Sequence, residues 1–243
     1  MHGDDDMGDH YDKSRHVVKN LHMGDHKELG AGTGLFTRKI LDQLKKDMPN
    51  IQYLATEPLK EFLSVLKQRS PSVDSLICSA TKLPFLENSV QNIICAQSFH
   101  WFANKESLTE IHKVLVPGGR LCLVWNDKDS TEKWVKKMEG DIVTQYYNDD
   151  TPRKKNETWI NVFDDCSLFR FVERRILPGF KGMKGDKDFV LNHFMSISVI
   201  ARLDPPRKEE AMRKLRAVLD ETFTDDEDIT IPFISDFYCT EKV

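Results

Sequence analysis

Long hydrophobic runs are missing from this chain of 243 residues. No apolar stretch approaches the roughly 18 residues that span a bilayer, and the opening Met1 to Ser14 is acidic and polar, unlike a secretory signal. The expectation is a soluble, unsecreted, cytoplasmic chain. An excess of one charge is missing too: 35 Lys and Arg stand against 39 Asp and Glu, a balance of −4. Such a balance offers no general attraction to phosphate backbones or anionic membranes, so neither nucleic acid nor membrane is expected as a partner. Cysteine is scarce. The five cysteines are odd in number and widely spaced, which argues against a disulfide framework and fits a reducing compartment. Cys78, Cys95 and Cys122 lie inside apolar runs, where the thiol serves as a small hydrophobe. His2 and His10, with Asp4, Asp5, Asp6 and Asp9, imitate a metal site but read as solvated charge in a polar tail, and no metal is expected.

What is present is a regular alternation. Hydrophobic residues make up 40% of the chain, enough for one large domain carrying a small cap. From Leu29 to Asp127 short apolar runs alternate with amphipathic stretches, as in a parallel sheet with crossover helices. Strands are predicted at Ile51 to Thr56, Val73 to Cys78, Gln91 to Gln97 and Arg120 to Trp125. Helical faces are predicted at Phe36, Ile40 and Leu44, at Leu59, Phe62 and Leu66, and at Leu108, Ile111 and Leu115. Pro117, Gly118 and Gly119 should stop the third helix. Beyond Asp127, Thr131 to Tyr147 reads as a charged helix and Asn148 to Asn156 as a polar linker. Helix returns around Val190, Phe194, Ile197 and Ala201, and again around Met212, Leu215 and Leu219, with Pro205 and Pro206 between. Late strands are predicted at Leu168 to Ile176 and Ile229 to Val243.

Glu28-Leu29-Gly30-Ala31-Gly32-Thr33-Gly34 stands between a short strand and a helix, where a ligand meets the carboxyl end of a parallel sheet. Its glycines let backbone approach that ligand closely. A dinucleotide loop needs G-x-G-x-x-G, and counting from Gly30 the last position falls on Leu35. The string instead resembles the first motif of class I methyltransferases, E/D-x-G-x-G-x-G, and the chain is similar to the type 11 methyltransferase-domain family over nearly its whole length. Downstream, Ala96-Gln97-Ser98-Phe99-His100-Trp101-Phe102 matches that family's A-x-x-x-H-W-F motif after the fourth strand.

The resemblance implies a doubly wound α/β fold, with a seven-stranded, mostly parallel sheet and a small helical cap. It divides the chain into a polar tail 1–20, a cofactor-binding core 21–147, and a segment 148–243 of cap helices and the last two strands completing the same domain. The implied cofactor is S-adenosyl-L-methionine. The implied cofactor-binding residues are Tyr11, Glu28, Gly30, Gly32, Gly34, Glu57, Ser79, Ala80, Thr81 and Gln97. Glu57, at a strand end, suits a carboxylate that accepts both ribose hydroxyls. Ser79 and Thr81 stand where many relatives carry an acid beside the adenine, and neutral hydroxyls bind more weakly than a carboxylate.

The implied acceptor is a small molecule. An N/D-P-P-Y/F string, common in enzymes that methylate amide or exocyclic amine nitrogens, is absent after the fourth strand. His100 is the candidate general base, since its ordinary pKa lies near neutrality; the alternative is that His100 and Trp101 pack the wall of the site. Trp101, Phe194 and Ser196 are the candidate substrate-side residues, although an aromatic and Met stripe at helical spacing is more often core than pocket. A monomer or weak dimer is expected. The alternative function is a cofactor-binding or inactive relative acting as an interaction module. Its basis is the sequence before Glu28, where Gly24, Asp25, His26 and Lys27 replace apolar residues. A central parallel strand is buried on both faces, so this one is expected to be short or displaced, as in a shortened isoform.

Overall fold

The apolar runs become strands and the stretches between them helices, each burying the stripe that its period dictates. The computed structural model describes residues 24–48, 50–148, 152–154, 157–164, 166–177 and 182–243; Tyr11 and the 1–20 segment lie outside them. In chain order come β1 (Asp25–Leu29), α1 (Leu35–Asp47), β2 (Gln52–Thr56), α2 (Lys60–Arg69), β3 (Asp74–Leu76) and β4 (Val90–Ala96). A 3-10 turn (Phe99–Trp101), α3 (Lys105–Val114) and β5 (Leu115–Lys128) follow. Next is α4 (Lys133–Val135), which runs on through a π-helical stretch (Lys136–Ile142) and a 3-10 turn (Val143–Tyr146). After a 3-10 segment (Thr158–Phe163) come β6 (Phe169–Leu177), β7 (Lys184–Gly185), α5 (Lys187–Met195), α6 (Ser198–Ala201), α7 (Pro205–Thr222), β8 (Ile229–Thr230) and β9 (Phe233–Lys242).

The described strands form a seven-stranded sheet in the order β3-β2-β1-β4-β5-β9-β6. Pairing is parallel from β3 through β5 and antiparallel between β9 and β6. This is the doubly wound, mostly parallel sheet that the sequence led us to expect. Its strand order reverses between β1 and β4, so the carboxyl ends of those strands flank the crevice where such sheets hold ligands. β7 and β8 make a separate antiparallel pair. Among the described residues no helix is long and apolar enough to cross a membrane.

The described residues fall into two compact units. The sheet unit comprises 24–126, the described part of 152–177, and 235–243. One face of its sheet buries Ile40 and Leu44 of α1 and Leu63 and Leu66 of α2 against Tyr53, Ala55 and Ile94. The other buries Leu108 and Ile111 of α3 against Ile93, Leu121, Leu123 and Trp125. Each fully buried aliphatic side chain contributes about 1.5 to 3 kcal/mol. The helical unit, 127–148 and 182–234, has its own core of Trp134, Met138, Phe194, Leu215 and Leu219.

Four local expectations need correction. The late strand expected at Ile229 to Val243 is two strands, β8 in the small pair and β9 in the large sheet. The buried stripe of α2 is Leu63 and Leu66, while Leu59, at its N-cap, and Phe62 face outward. Helix α3 ends at Val114, and Leu115 already belongs to β5. Pro117, Gly118 and Gly119 therefore lie within β5, where the register with β4 shifts between Val90 and Asn92. Pro205 and Pro206 open α7 instead of separating two helices; Asp204 caps it by accepting from the Arg207 N–H at 3.1 Å, and proline suits a first turn whose N–H groups have no helical partner.

β1, expected to be short or displaced, is short, five residues, and keeps its place in the sheet. All five of its residues pair with β2, and His26 to Glu28 pair with β4 on the other side. His26 and Lys27 are buried with polar partners. The His26 ring bonds the Gly24 carbonyl through Nδ1 at 2.7 Å and meets the Asn92 amide through Nε2 at 3.3 Å. Lys27 Nζ lies 3.3 Å from Asp25 Oδ2 and 5.3 Å from the centre of the Phe85 ring. These bonds offset the desolvation that the apolar residues of a typical central strand avoid.

Candidate active site

β1, β2, β3 and β4 run in parallel, so the loops following them emerge on one rim. Gly30, Gly32 and Gly34, after β1, have φ of 71°, 57° and 82°. L side chains rarely adopt this left-handed region. Packing adds to that restriction at two of the three. A Cβ on Gly30 would stand 2.6 Å from Ser98 Cβ, and one on Gly34 would stand 2.9 Å from Leu66 Cγ. A Cβ on Gly32 would meet nothing within 4 Å. The loop is therefore locked to the sheet unit at both ends and faces open space at its middle.

Two carboxylates fix the loop. Glu57, directly after β2, is buried; its Oε2 accepts from the Gly32 N–H at 2.9 Å and its Oε1 from the Leu59 N–H at 3.1 Å. Glu28 is buried at the end of β1, and its Oε2 accepts from Thr37 Oγ1 at 2.6 Å and Tyr53 Oη at 2.8 Å. The first turn of α1 and the neighbouring β2 are thus tied to the base of the loop. Glu28 Oε1 is buried without a hydrogen-bond partner. Burial pushes its carboxyl up to about 7, against the two hydroxyl donors that favour the charged form, with the nearby Glu57 charge adding to the rise.

The chain after β4 closes the other side of the crevice. Gln97 has φ of 57°, uncommon for a non-glycine residue, and is held there by two bonds. Its N–H donates to the Val124 carbonyl at 2.9 Å and its Nε2 to the Asn126 carbonyl at 2.8 Å. Ser98, buried behind it, donates through Oγ to the Leu29 carbonyl at 2.7 Å, joining the fourth-strand motif to the glycine loop. In the 3-10 turn that follows, Trp101 is 63% exposed, and its ring lies 5.3 Å from that of His100. Trp125 donates its indole N–H to His100 Nδ1 at 3.2 Å. An indole nitrogen only donates, so the neutral imidazole must keep its proton on Nε2.

Ser79 and Thr81, after β3, bond each other through their hydroxyls at 2.9 Å, and Ala80 between them is partly buried. Thus Glu28, in the last pleat of β1, and the three glycines, Glu57, Ser79, Ala80, Thr81, Gln97, His100 and Trp101, in the loops that follow, stand at the carboxyl ends of β1 to β4. Phe194 and Ser196 belong to the helical unit. Phe194 is fully buried there, its ring 6.3 Å from Trp134, and Ser196 caps α5 by donating to the His193 carbonyl at 2.7 Å. Sequence reasoning assigned no role to Ser98, Thr37, Tyr53 or Trp125. The signal available for Ser98 was its place inside the quoted motif, whereas the other three needed the fold to bring them near.

The strand order and this rim define the fold of class I methyltransferases. A candidate type II methyltransferase from Anaeromyxobacter dehalogenans superimposes with a TM-score of 0.67 at 16% identity, covering 94% of each chain. A Bacillus halodurans structure described as a candidate methyltransferase gives 0.61 at 14% identity, covering 96% of this chain and 98% of its own. Residues 27–123 match the family model described as a methyltransferase domain. An uncharacterized methyltransferase-like protein of Schizosaccharomyces pombe is 40% identical over 136 residues, covering 56% of this chain and 50% of the relative. An uncharacterized methyltransferase of Mycobacterium bovis is 35% identical over 116 residues, covering 48% and 45%. The chain spans about half the length of these curated relatives.

Proposed function

We propose that this chain is an S-adenosyl-L-methionine-dependent methyltransferase that acts on a small-molecule acceptor. The observation that carries the reading is the open side of Gly32 beside the Glu57 carboxylate, within a loop held rigid by Ser98 and Leu66. The residues fit the cofactor. A carboxylate has about four lone-pair directions, so Glu57 can keep its two backbone donors and still accept two ribose hydroxyls. Gly30, Gly32 and Gly34 would form the wall at the methionine end, with Gln97 across the crevice, and Ser79, Ala80 and Thr81 would border the adenine. Tyr11 remains a proposed contact from outside the described residues.

When bound, the cofactor supplies an activated methyl group on a sulfonium centre. The chain's own task is then to hold an acceptor in line and exclude water, which accounts for much of the rate in such a displacement. Exposed Trp101 offers an apolar surface for that purpose. His100 is the proposed catalytic residue; Trp125 occupies its Nδ1, so the neutral ring carries its proton on Nε2. Serving as a base through Nδ1 requires the ring to break its bond to Trp125 first. Phe194 supports the helical unit from its interior; Ser196 remains a proposed substrate-side residue.

Calorimetry with S-adenosylhomocysteine tests the reading. The full chain should bind, and Glu57→Ala should weaken binding by about 1.5 to 3 kcal/mol for each charged hydrogen bond lost. Unchanged affinity in a folded Glu57→Ala removes the ribose assignment. Absence of binding by the wild type overturns the enzyme reading in favour of an interaction module.

A further inference from the structure

We propose that the outer edge of β6 is a self-complementary surface through which two copies of this chain pair antiparallel, extending the sheet across a two-fold axis. The sheet ends in two edges of different character. β3 is three residues long, and a short edge strand offers little to a partner. β6 is nine residues long and pairs on one side with β9. Phe171 is 60% exposed and Ile176 55%, with Val172 also exposed between them.

The register with β9 assigns the β6 side chains to faces. Phe171 stands opposite Thr240, Arg174 opposite Tyr238 and Ile176 opposite Asp236, so these three share one face. Glu173, opposite Cys239, and Arg175, opposite Phe237, share the other. Val172 is the extra residue where the register shifts between Phe171 and Glu173.

Two such strands laid antiparallel about Arg174, with each Val172 left as a bulge, put Phe171 beside the partner's Ile176 twice on one face. On the opposite face Glu173 falls beside the partner's Arg175, also twice. The charges that ordinarily guard an edge strand are here of opposite sign and meet one another. Glu173 already pairs with Arg175 of its own strand at 2.7 Å, so pairing turns two ion pairs into a four-membered cluster. The two Arg174 side chains meet near the axis without opposing the contact. Each guanidinium is drawn back over β9, bonded to Asp236 at 3.1 and 3.3 Å and lying 4.7 Å from the centre of the Tyr238 ring. A pairing of this length buries less than the roughly 1,200 Å² of a stable interface, so the dimer is reversible.

Sedimentation velocity on the full chain over a concentration series tests this. The wild type should move from monomer to dimer as concentration rises. Glu173→Arg alone and Arg175→Glu alone should each remain monomeric, because each places like charges across the axis. An equimolar mixture of the two variants should dimerise, since every cross-strand pair is then of opposite sign. An effect confined within one chain cannot produce that rescue. Thermal melts of each variant confirm that it folds. A wild type monomeric throughout, single variants that dimerise as the wild type does, or a mixture that stays monomeric overturns the proposal.

Discussion

In the sheet unit, Glu28, Thr56, Glu57 and Ser98 are buried at or just beyond the carboxyl ends of β1, β2 and β4, and each makes specific hydrogen bonds. In the helical unit the interior is chiefly Trp134, Met138, Phe194, Leu215 and Leu219, and its buried Lys187 pairs with Asp220 and Asp225 near the surface. Burying a carboxylate is costly unless donors surround it. Two of them at one rim mark where geometry is held for a ligand, whereas an apolar stripe at helical spacing marks only packing. The comparison sets Phe194, packed in an apolar interior, apart from Glu57, the proposed ribose partner.

The largest expected effect tests the apolar side of that contrast. Phe194→Ala should destabilise the helical unit by about 3 to 5 kcal/mol in denaturant unfolding, the usual cost of removing a buried aromatic ring. Affinity of the folded variant for S-adenosylhomocysteine should be unchanged. A loss of affinity at constant stability would instead put Phe194 in the site.

Next comes the pH dependence of Glu28. Its folded value of about 7 lies above its ordinary 4.5, so the folded chain holds this proton more tightly than the unfolded chain. The contribution is fully present below about 4.5 and is lost as pH rises through about 7, a change of about 3 kcal/mol. Burial pushes His26 down and His193 down to about 4, and these act with opposite sign, their contribution present above 6.5 and lost as pH falls. Urea unfolding of the wild type and of Glu28→Gln between about pH 4.5 and 8 separates the terms. The difference between the two curves should change across that window, and parallel curves would remove Glu28 from the account.

Gly30 and Gly32 sharpen the contrast within the loop itself. Gly32→Ala should cost about 1 kcal/mol of stability through its left-handed backbone, yet weaken ligand binding markedly because its Cβ enters the open space. Gly30→Ala should lower the melting temperature further, since Ser98 must move as well. Equal melting temperatures for the two would show that the Ser98 contact yields easily. The smallest effect is expected at Ser196→Ala, which removes a hydroxyl bond at the end of α5 and should change stability by about 1 kcal/mol or less.

Most of the fold was legible because it rests on period and punctuation. Ile40 and Leu44 lie one turn apart and form a buried stripe, and the glycine loop announces a strand-to-helix turn by its spacing. Reading failed where burial depended on distant partners. Asp25, His26 and Lys27 look unfit for a central strand until Asn92 and Phe85 stand beside them, so a short or displaced strand was expected, and the structure keeps β1 short and in place. Phe62 looked like a core residue because its spacing fits a stripe, and only the position of α2 against the sheet selects Leu63 and Leu66 instead.

The amino-acid sequence by itself determined the parallel sheet, the glycine loop and the carboxylate at the end of β2, since local spacing and hydrophobic period specify each. Only the tertiary structure decided that Ser98 locks Gly30, that Thr37 and Tyr53 share Glu28, and that Trp125 leaves the neutral His100 its proton on Nε2. Those relations join residues 9 to 68 positions apart. No local period encodes such separations, because the chain must fold before the donors and acceptors meet.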